Sequence, residues 1–238
     1  MNSPLLNEYL DKKGFTPEDL YAHHAVFLDS GNIIYADDDR NSWLYKDFLF
    51  LDPEGKETKL TPHDIILKKR YQYSLDNCDS AIFVPLFKLS GEFTGFSIRK
   101  IGGSTKHDSW FIPGHKKLDL LYNLTNAYEY AISKNSLILT EGVYDTIALC
   151  KYGFKNSAAL LGTNLSTMQF FQISSMVENI ALCLDNDDAG KKAIDKIINE
   201  HPEGITFWLV DIDKDPDEFL KEHGASEFKK RIKKCTKN

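Results

Sequence analysis

An α/β protein is predicted, and its second half reads as a parallel sheet covered by helices. From residue 137 onward, short apolar runs at Leu137–Leu139, Ile180–Leu184 and Ile205–Val210 alternate with helix-like stretches. The connections between them are short, and strand–helix alternation with short loops gives parallel strands with helices on both faces. Each run also ends in an acidic cluster: Glu141-Gly142-Val143-Tyr144-Asp145, Asp185-Asn186-Asp187-Asp188-Ala189-Gly190 and Asp215-Pro216-Asp217-Glu218. In open α/β sheets, ligands bind at the carboxyl ends of the strands.

The elements follow in order. Residues 3–22 predict two helices. Leu5, Leu6, Tyr9 and Leu10 form one face, Gly14 breaks it, and Thr16-Pro17-Glu18-Asp19 starts the second. Residues 24–60 predict short strands, with turn signals at Asp29-Ser30-Gly31-Asn32 and Asp52-Pro53-Glu54-Gly55. Ala81–Leu89 and Phe93–Ile101 flank Ser90-Gly91-Glu92 and predict a hairpin. A basic segment from Arg99 to Lys117 follows, then a helix near 119–133. Strands are expected near 137–141, 157–161, 179–185 and 205–210. Helices are expected near 144–152, 166–175, 188–200, 216–222 and 225–234. The chain divides into a mixed α+β domain over 1–136 and an α/β domain over 137–238.

The bulk composition narrows the class. The 238 residues can bury a sizeable core, and 42% hydrophobic with 27% charged residues is ordinary for a globular protein. The net charge of −6 argues against a general nucleic-acid binder, but the sign is segregated along the chain. No apolar run approaches the ~20 residues of a membrane span, and Met1-Asn2-Ser3-Pro4 opens no secretion signal. Cys78, Cys150, Cys183 and Cys235 are scattered, so neither a zinc site nor a disulfide framework is expected. The expected compartment is the cytosol.

The acidic clusters carry the chemistry. Glu141 ends a strand, and Asp145 lies one helical turn on, on the same face. Gly142 permits a tight turn between them. Asp185 and Asp187 alternate at a strand end, and Asp188 is placed to cap the next helix. Asp215 and Asp217 flank a proline that fixes the backbone. Clustered carboxylates raise one another's pKa unless a cation compensates. Oxygen-only ligands suit Mg²⁺ or Mn²⁺ rather than zinc. Such ions serve phosphoryl and nucleotidyl transfer. Singly, each cluster also reads as a helix cap or a solvated turn, and Asp145 and Asp213 are the residues that suit that reading best.

Together these motifs resemble the Toprim signature: Glu141-Gly142-x-x-Asp145, Asp185-x-Asp187-x-Ala189-Gly190 and Asp215-Pro216-Asp217-Glu218, with Leu161-Gly162-Thr163 as its glycine-containing strand end. Upstream, Tyr9-Leu10-x-x-Lys13-Gly14-Phe15, Ile82-Phe83-Val84-Pro85-Leu86 and Gly95-Phe96-Ser97-Ile98-Arg99 resemble the polymerase core of bacterial and phage Toprim primases. The resemblance spans residues 3–22 and 80–232. Ser97-Ile98 departs from it, standing where the family has two glycines.

The resemblance implies a Toprim domain with a four-stranded parallel sheet flanked by helices, preceded by a mixed α+β basic subdomain. It implies a DNA primase, a nucleotidyltransferase making short RNA primers on single-stranded DNA. Glu141, Asp185 and Asp187 would be catalytic. Glu141, Asp145, Asp185, Asp187, Asp215 and Asp217 would hold Mg²⁺, with Mn²⁺ able to substitute and no zinc. Arg99, Lys106 and Lys117 would contact nucleotide phosphates or template. The family's zinc ribbon and following helical subdomain are not recognisable, which suggests a minimal phage or mobile-element form. Such a form would need a replicative helicase or a zinc-binding template reader, in a bacterial or infected host cytosol. A Toprim nuclease and a non-catalytic replication accessory are the alternative readings.

Overall fold

The computed structural model describes residues 3–30, 32–36, 39–51, 56–75, 80–102, 107–112, 114–200 and 204–235. They form two compact units. The first comprises residues up to Leu86 together with Phe93–His115, and the second comprises Phe87–Glu92 and Lys116 onward. The second unit thus begins earlier than the 136/137 boundary expected from the sequence.

The first unit opens with α1 (Pro4–Lys13) and α2 (Pro17–Tyr21). Ser3 caps α1 and Gly14 ends it in the left-handed conformation. Thr16 and Asp19 close a capping box on α2. Then come β1 (Val26–Asp29), β2 (Asn32–Ile34), a 3₁₀ turn (Asp39–Tyr45), β3 (Phe48–Leu51) and β4 (Glu57–Leu60). The turn predicted at Asp29–Asn32 joins β1 to β2, which pair antiparallel. The turn predicted at 52–55 lies outside the described residues.

Helix α3 (Pro62–Leu75) was not expected, since its apolar residues do not fall on one face. Its start is marked all the same: Asp64 Oδ2 accepts from Thr61 N, and Thr61 Oγ1 accepts from Asp64 N. Strands β5 (Ser80–Phe87), β6 (Phe93–Ile101) and β7 (His107–Phe111) complete a five-stranded sheet of order β2-β1-β5-β6-β7. Its core is aromatic, with Phe27, Phe83, Phe93 and Phe96 all fully buried.

The second unit runs through a 3₁₀ turn (Lys117–Asp119), α4 (Leu124–Lys134), β8 (Ser136–Thr140), α5 (Val143–Lys151), β9 (Ser157–Ala159), α6 (Thr167–Ser174), β10 (Asn179–Cys183), α7 (Asp188–Glu200), β11 (Thr206–Val210), α8 (Pro216–Lys230) and β12 (Ile232–Lys234). The sheet order is β12-β11-β10-β8-β9. β11, β10, β8 and β9 are parallel, as expected, and β12 adds an antiparallel edge. Leu137, Leu139, Ile180 and Leu182 alternate along the central strands and share a core with Ala127 of α4, Ile173 of α6 and Ile197 of α7. Helices α5 and α8 pair with each other, the Phe154 and Phe228 rings lying 4.8 Å apart.

The helix expected at 225–234 is corrected. Residues 225–230 continue α8 after a break at Gly224 (φ 74°), and the lysine-rich end turns into β12. There Ile232 pairs with Val210 and Lys234 with Trp208, so pairing at the sheet edge overrides the helical look of a basic run.

Candidate active site

Parallel pairing carries distant residues to one edge. β8, β9, β10 and β11 all point their carboxyl ends the same way, so Glu141, Gly162, Asp185 and Asp215 follow strands that finish side by side.

The turn after β8 is locked from beneath. The Thr140 and Thr146 hydroxyls are fully buried and 2.7 Å apart, and Thr140 Oγ1 also donates to the Gly142 carbonyl at 3.1 Å. Glu141 is therefore presented by a fixed strand–helix junction. Asp145 folds back over it, so a Cβ on Gly142 would stand 2.9 Å from Asp145 Oδ2. The neighbouring strand end is tied in as well. Leu160 N donates to Thr140 O (3.0 Å) and Gly162 N to Glu141 O (3.1 Å). Leu161, between them, holds φ at 60°, a left-handed conformation that costs a non-glycine residue about 1–2 kcal/mol.

After β10 the chain makes a tight loop into α7. Asp187 Oδ1 accepts from Gly190 N at 2.7 Å, so Asp187, and not the expected Asp188, caps the helix. Gly190 is required by steric contact, because a Cβ there would run into the carbonyl oxygen of Asp185. Asp215 takes the N-cap position of α8, with Pro216 in the first turn.

Electrostatics show which carboxylates sense one another. Burial, then the negative charges of Asp185 and Asp187, push the Glu141 carboxyl from its ordinary 4.5 up to about 6. Asp215 adds to the rise, and the Lys117 ammonium opposes it. Asp145 belongs to the same neighbourhood: it and Asp185 reinforce the effect of burial, which holds the Cys183 thiol well above its usual range. Asp217 is buried, and its Oδ1 accepts from Glu218 N at 2.9 Å. Asp213 is exposed, as its assignment to loop solvation anticipated.

The donors are all carboxylate oxygens, a set suited to a hard divalent cation. Among the described residues, no three His, Cys, Asp or Glu side chains are gathered closely enough to hold an ion as they stand.

Of the three basic residues singled out, Lys117 reaches the acidic edge. Its Nζ lies 2.8 Å from where a Cβ on Gly162 would stand. Arg99 is half-buried on β6 of the first unit, and Lys106 lies outside the described residues. Two residues escaped the sequence reading. Ser166 and Gln169 form a capping box at α6 and also bind the segment that carries Lys117, with Ser166 Oγ donating to Leu118 O (2.6 Å) and Gln169 Nε2 to Leu120 O (2.7 Å). The Ser-x-x-Gln spacing was the available signal.

The family described as Toprim-like matches residues 138–220, the stretch that holds β8 to the start of α8. The chain is 31% identical over 193 residues to the DNA primase of Rickettsia typhi, covering 78% of this chain and 32% of the relative. It is 29% identical over 238 residues to the DNA primase of Staphylococcus aureus, covering 97% of this chain and 38% of the relative. It thus spans about a third of the length of the curated relatives it matches. Among solved structures, the zinc-binding and RNA polymerase domains of the Aquifex aeolicus primase align at TM-score 0.69 and 22% identity, over 98% of this chain and 57% of that one. The catalytic domain of a DnaG primase bound to single-stranded DNA aligns at 0.68 and 21%, over 98% and 74%. The chain is a Toprim-type relative of the bacterial DNA primases, with the fold of their catalytic core. Among the described residues, no helix is long and apolar enough to cross a membrane.

Proposed function

We propose that the chain is a primase core that makes short RNA primers on single-stranded DNA by metal-dependent nucleotidyl transfer during replication, in the cytoplasm. The observation that carries the reading is the convergence of Glu141, Asp185, Asp187 and Asp215 on one sheet edge, with Lys117 beside them.

In this reading Glu141, Asp185, Asp187 and Asp215 hold Mg²⁺, for which Mn²⁺ can substitute, and Asp145 supports them. A cation bound there supplies positive charge that offsets the carboxylates and the triphosphate. Glu141 receives the proton of the attacking 3′ hydroxyl. The hydroxyl oxygen forms a bond to the α-phosphorus, and the bond to pyrophosphate breaks. Asp187 keeps one oxygen on the Gly190 amide, which fixes the direction of the other. Lys117 contacts the nucleotide phosphates, while Arg99 and Lys106 contact phosphates or template. Asp217 is proposed as structural support, since its burial suits that role. A replicative helicase or a zinc-binding template reader is proposed as partner, because tethering raises the effective concentration of DNA.

The test is de novo synthesis on single-stranded DNA with four ribonucleotides and Mg²⁺ or Mn²⁺, for the wild type and Glu141→Gln, with and without the cognate helicase. Primers that vanish in the variant support the reading. Degradation of the template without synthesis would instead assign a nuclease, and neither activity under any condition would leave an accessory role.

A further inference from the structure

We propose that Ser166 and Gln169, at the start of α6, are positioning residues that set Lys117 against the acidic edge. This rests on the reading of Lys117 as a phosphate contact.

Lys117 opens a single 3₁₀ turn, an element too short to hold itself in place. It holds two backbone bonds of its own, Asp119 N to Lys116 O at 3.1 Å and a longer one from Leu120 N to Lys117 O at 3.3 Å, and no side chain caps it. The short bonds come from α6, where Ser166 and Gln169 take the carbonyls of Leu118 and Leu120.

Gln169 is fully buried, and both ends of its amide are used. Oε1 accepts from Ser166 N at 2.8 Å while Nε2 donates across to Leu120. A glutamate would serve the helix cap equally well, since that job needs only an acceptor. The amide donor is the part that a cap does not explain. The same connection also receives the other end of the lysine. Gly162 leaves the space that Lys117 Nζ and Cε occupy, at 2.8 and 3.2 Å from where a Cβ would stand. The β9–α6 connection therefore grips the backbone of the Lys117 segment and makes room for its ammonium, whose charge Glu141 senses.

Gln169→Glu separates the two roles, because it keeps the acceptor for Ser166 N and loses the donor to Leu120. The measurement is affinity of the full chain for ATP with magnesium chloride, read by displacement of a fluorescent ATP analogue, alongside circular dichroism. Lys117→Ala should weaken binding about tenfold, the worth of one charge-assisted contact. Gln169→Glu should weaken it several-fold with helix content unchanged, and the double variant should bind no worse than Lys117→Ala alone. Should the buried charge unfold Gln169→Glu, Ser166→Ala asks the same question by removing the bond to Leu118 O, and it too should bind several-fold more weakly. A folded Gln169→Glu or Ser166→Ala that binds ATP like the wild type, while Lys117→Ala does not, overturns the positioning role alone. Additive losses in the double variant overturn it as well. Wild-type binding by Lys117→Ala overturns the phosphate reading on which it stands.

Discussion

The two sheets have five strands each and do different work. The first pairs antiparallel at β1–β2, β1–β5 and β6–β7 and is filled with large rings such as Phe83, Phe93 and Phe96. Antiparallel strands send their carboxyl ends alternately to opposite edges, so no edge collects residues from every strand. The second has four parallel strands over a core of Leu, Ile and Ala, and it delivers four strand ends to one edge. Glu141 and Asp185, 44 residues apart in sequence, come to that edge because the topology returns each strand in the same direction. Chemistry concentrates on the second sheet for a geometric reason, and substitutions can test that contrast.

The largest effect should come from a matched pair of glycines, one on β6 of the first sheet and one in the first turn of α7, which follows β10 of the second. A Cβ on Gly190 would run into Asp185 O, and a Cβ on Gly95 would run into Trp110 O across the β6–β7 pair. Neither obstacle is a flexible side chain, so each alanine variant should lose about 3 kcal/mol or more of stability. The sheets differ in what moves. Gly190→Ala should shift Asp185 and lower the Glu141 pKa, while Gly95→Ala should leave that pKa in place. Thermal unfolding with an NMR titration of Glu141 checks both, and equal effects of the two variants on Glu141 would erase the contrast.

A smaller structural effect with a large chemical one is expected from Asp185→Asn and Asp187→Asn. Each should cut primer synthesis on the order of 100-fold or more, since charge stabilisation by a held cation is worth several kcal/mol. Neither should unfold the chain. Removing a charge relieves repulsion at Glu141, and asparagine caps a helix as well as aspartate does. Near-normal synthesis by both variants, with unfolding midpoints unchanged, would remove them from the site.

Much of the second unit was legible because β–α alternation writes itself into hydrophobic spacing: the expected helix at 188–200 is α7 residue for residue. The acidic clusters were legible for the same reason, each standing where a run ends. What was not legible depended on contacts between distant segments. The β12 edge strand is decided by pairing with Trp208 to Val210, not by its own lysines. The swap of Asp187 for Asp188 as helix cap turns on a loop that only Gly190 permits. Gln169 drew no reading from the sequence, and its burial under the Leu120 carbonyl has no local signature beyond the capping box. Asp217 shares an Asp-Pro-Asp motif with Asp215 yet turns inward, because neighbouring positions at a helix start face different ways.

The smallest expected effect is also the one that sets the two units against each other most directly, through pH. In the first unit burial, reinforced by His24, drives the His23 imidazole from its ordinary 6.5 down to about 4, with Asp19 opposing. Its folded form binds fewer protons than the unfolded chain between those values, so it contributes stability above pH 6.5 that is lost as pH falls toward 4. Glu141 has the opposite sign. With a folded pKa of about 6 against an ordinary 4.5, it binds more protons when folded, and its contribution is present below pH 4.5 and lost as pH rises through 6. The two slopes oppose each other over the shared window from 4.5 to 6, and the wild type should show a shallow profile there. Glu141→Gln removes one slope, so the variant should lose stability more steeply on acidification. Its midpoint relative to the wild type should climb as pH rises from 4.5 to above 6. Mg²⁺ should produce part of the same change in the wild type, since a cation binds the ionised carboxylate and competes with its proton. Unfolding midpoints across pH 4 to 7, for both proteins with and without Mg²⁺, read this out. Parallel curves for wild type and variant would mean that Glu141 ionises like an ordinary surface carboxylate, and the crowding of charge at the parallel sheet's edge would be lost with it.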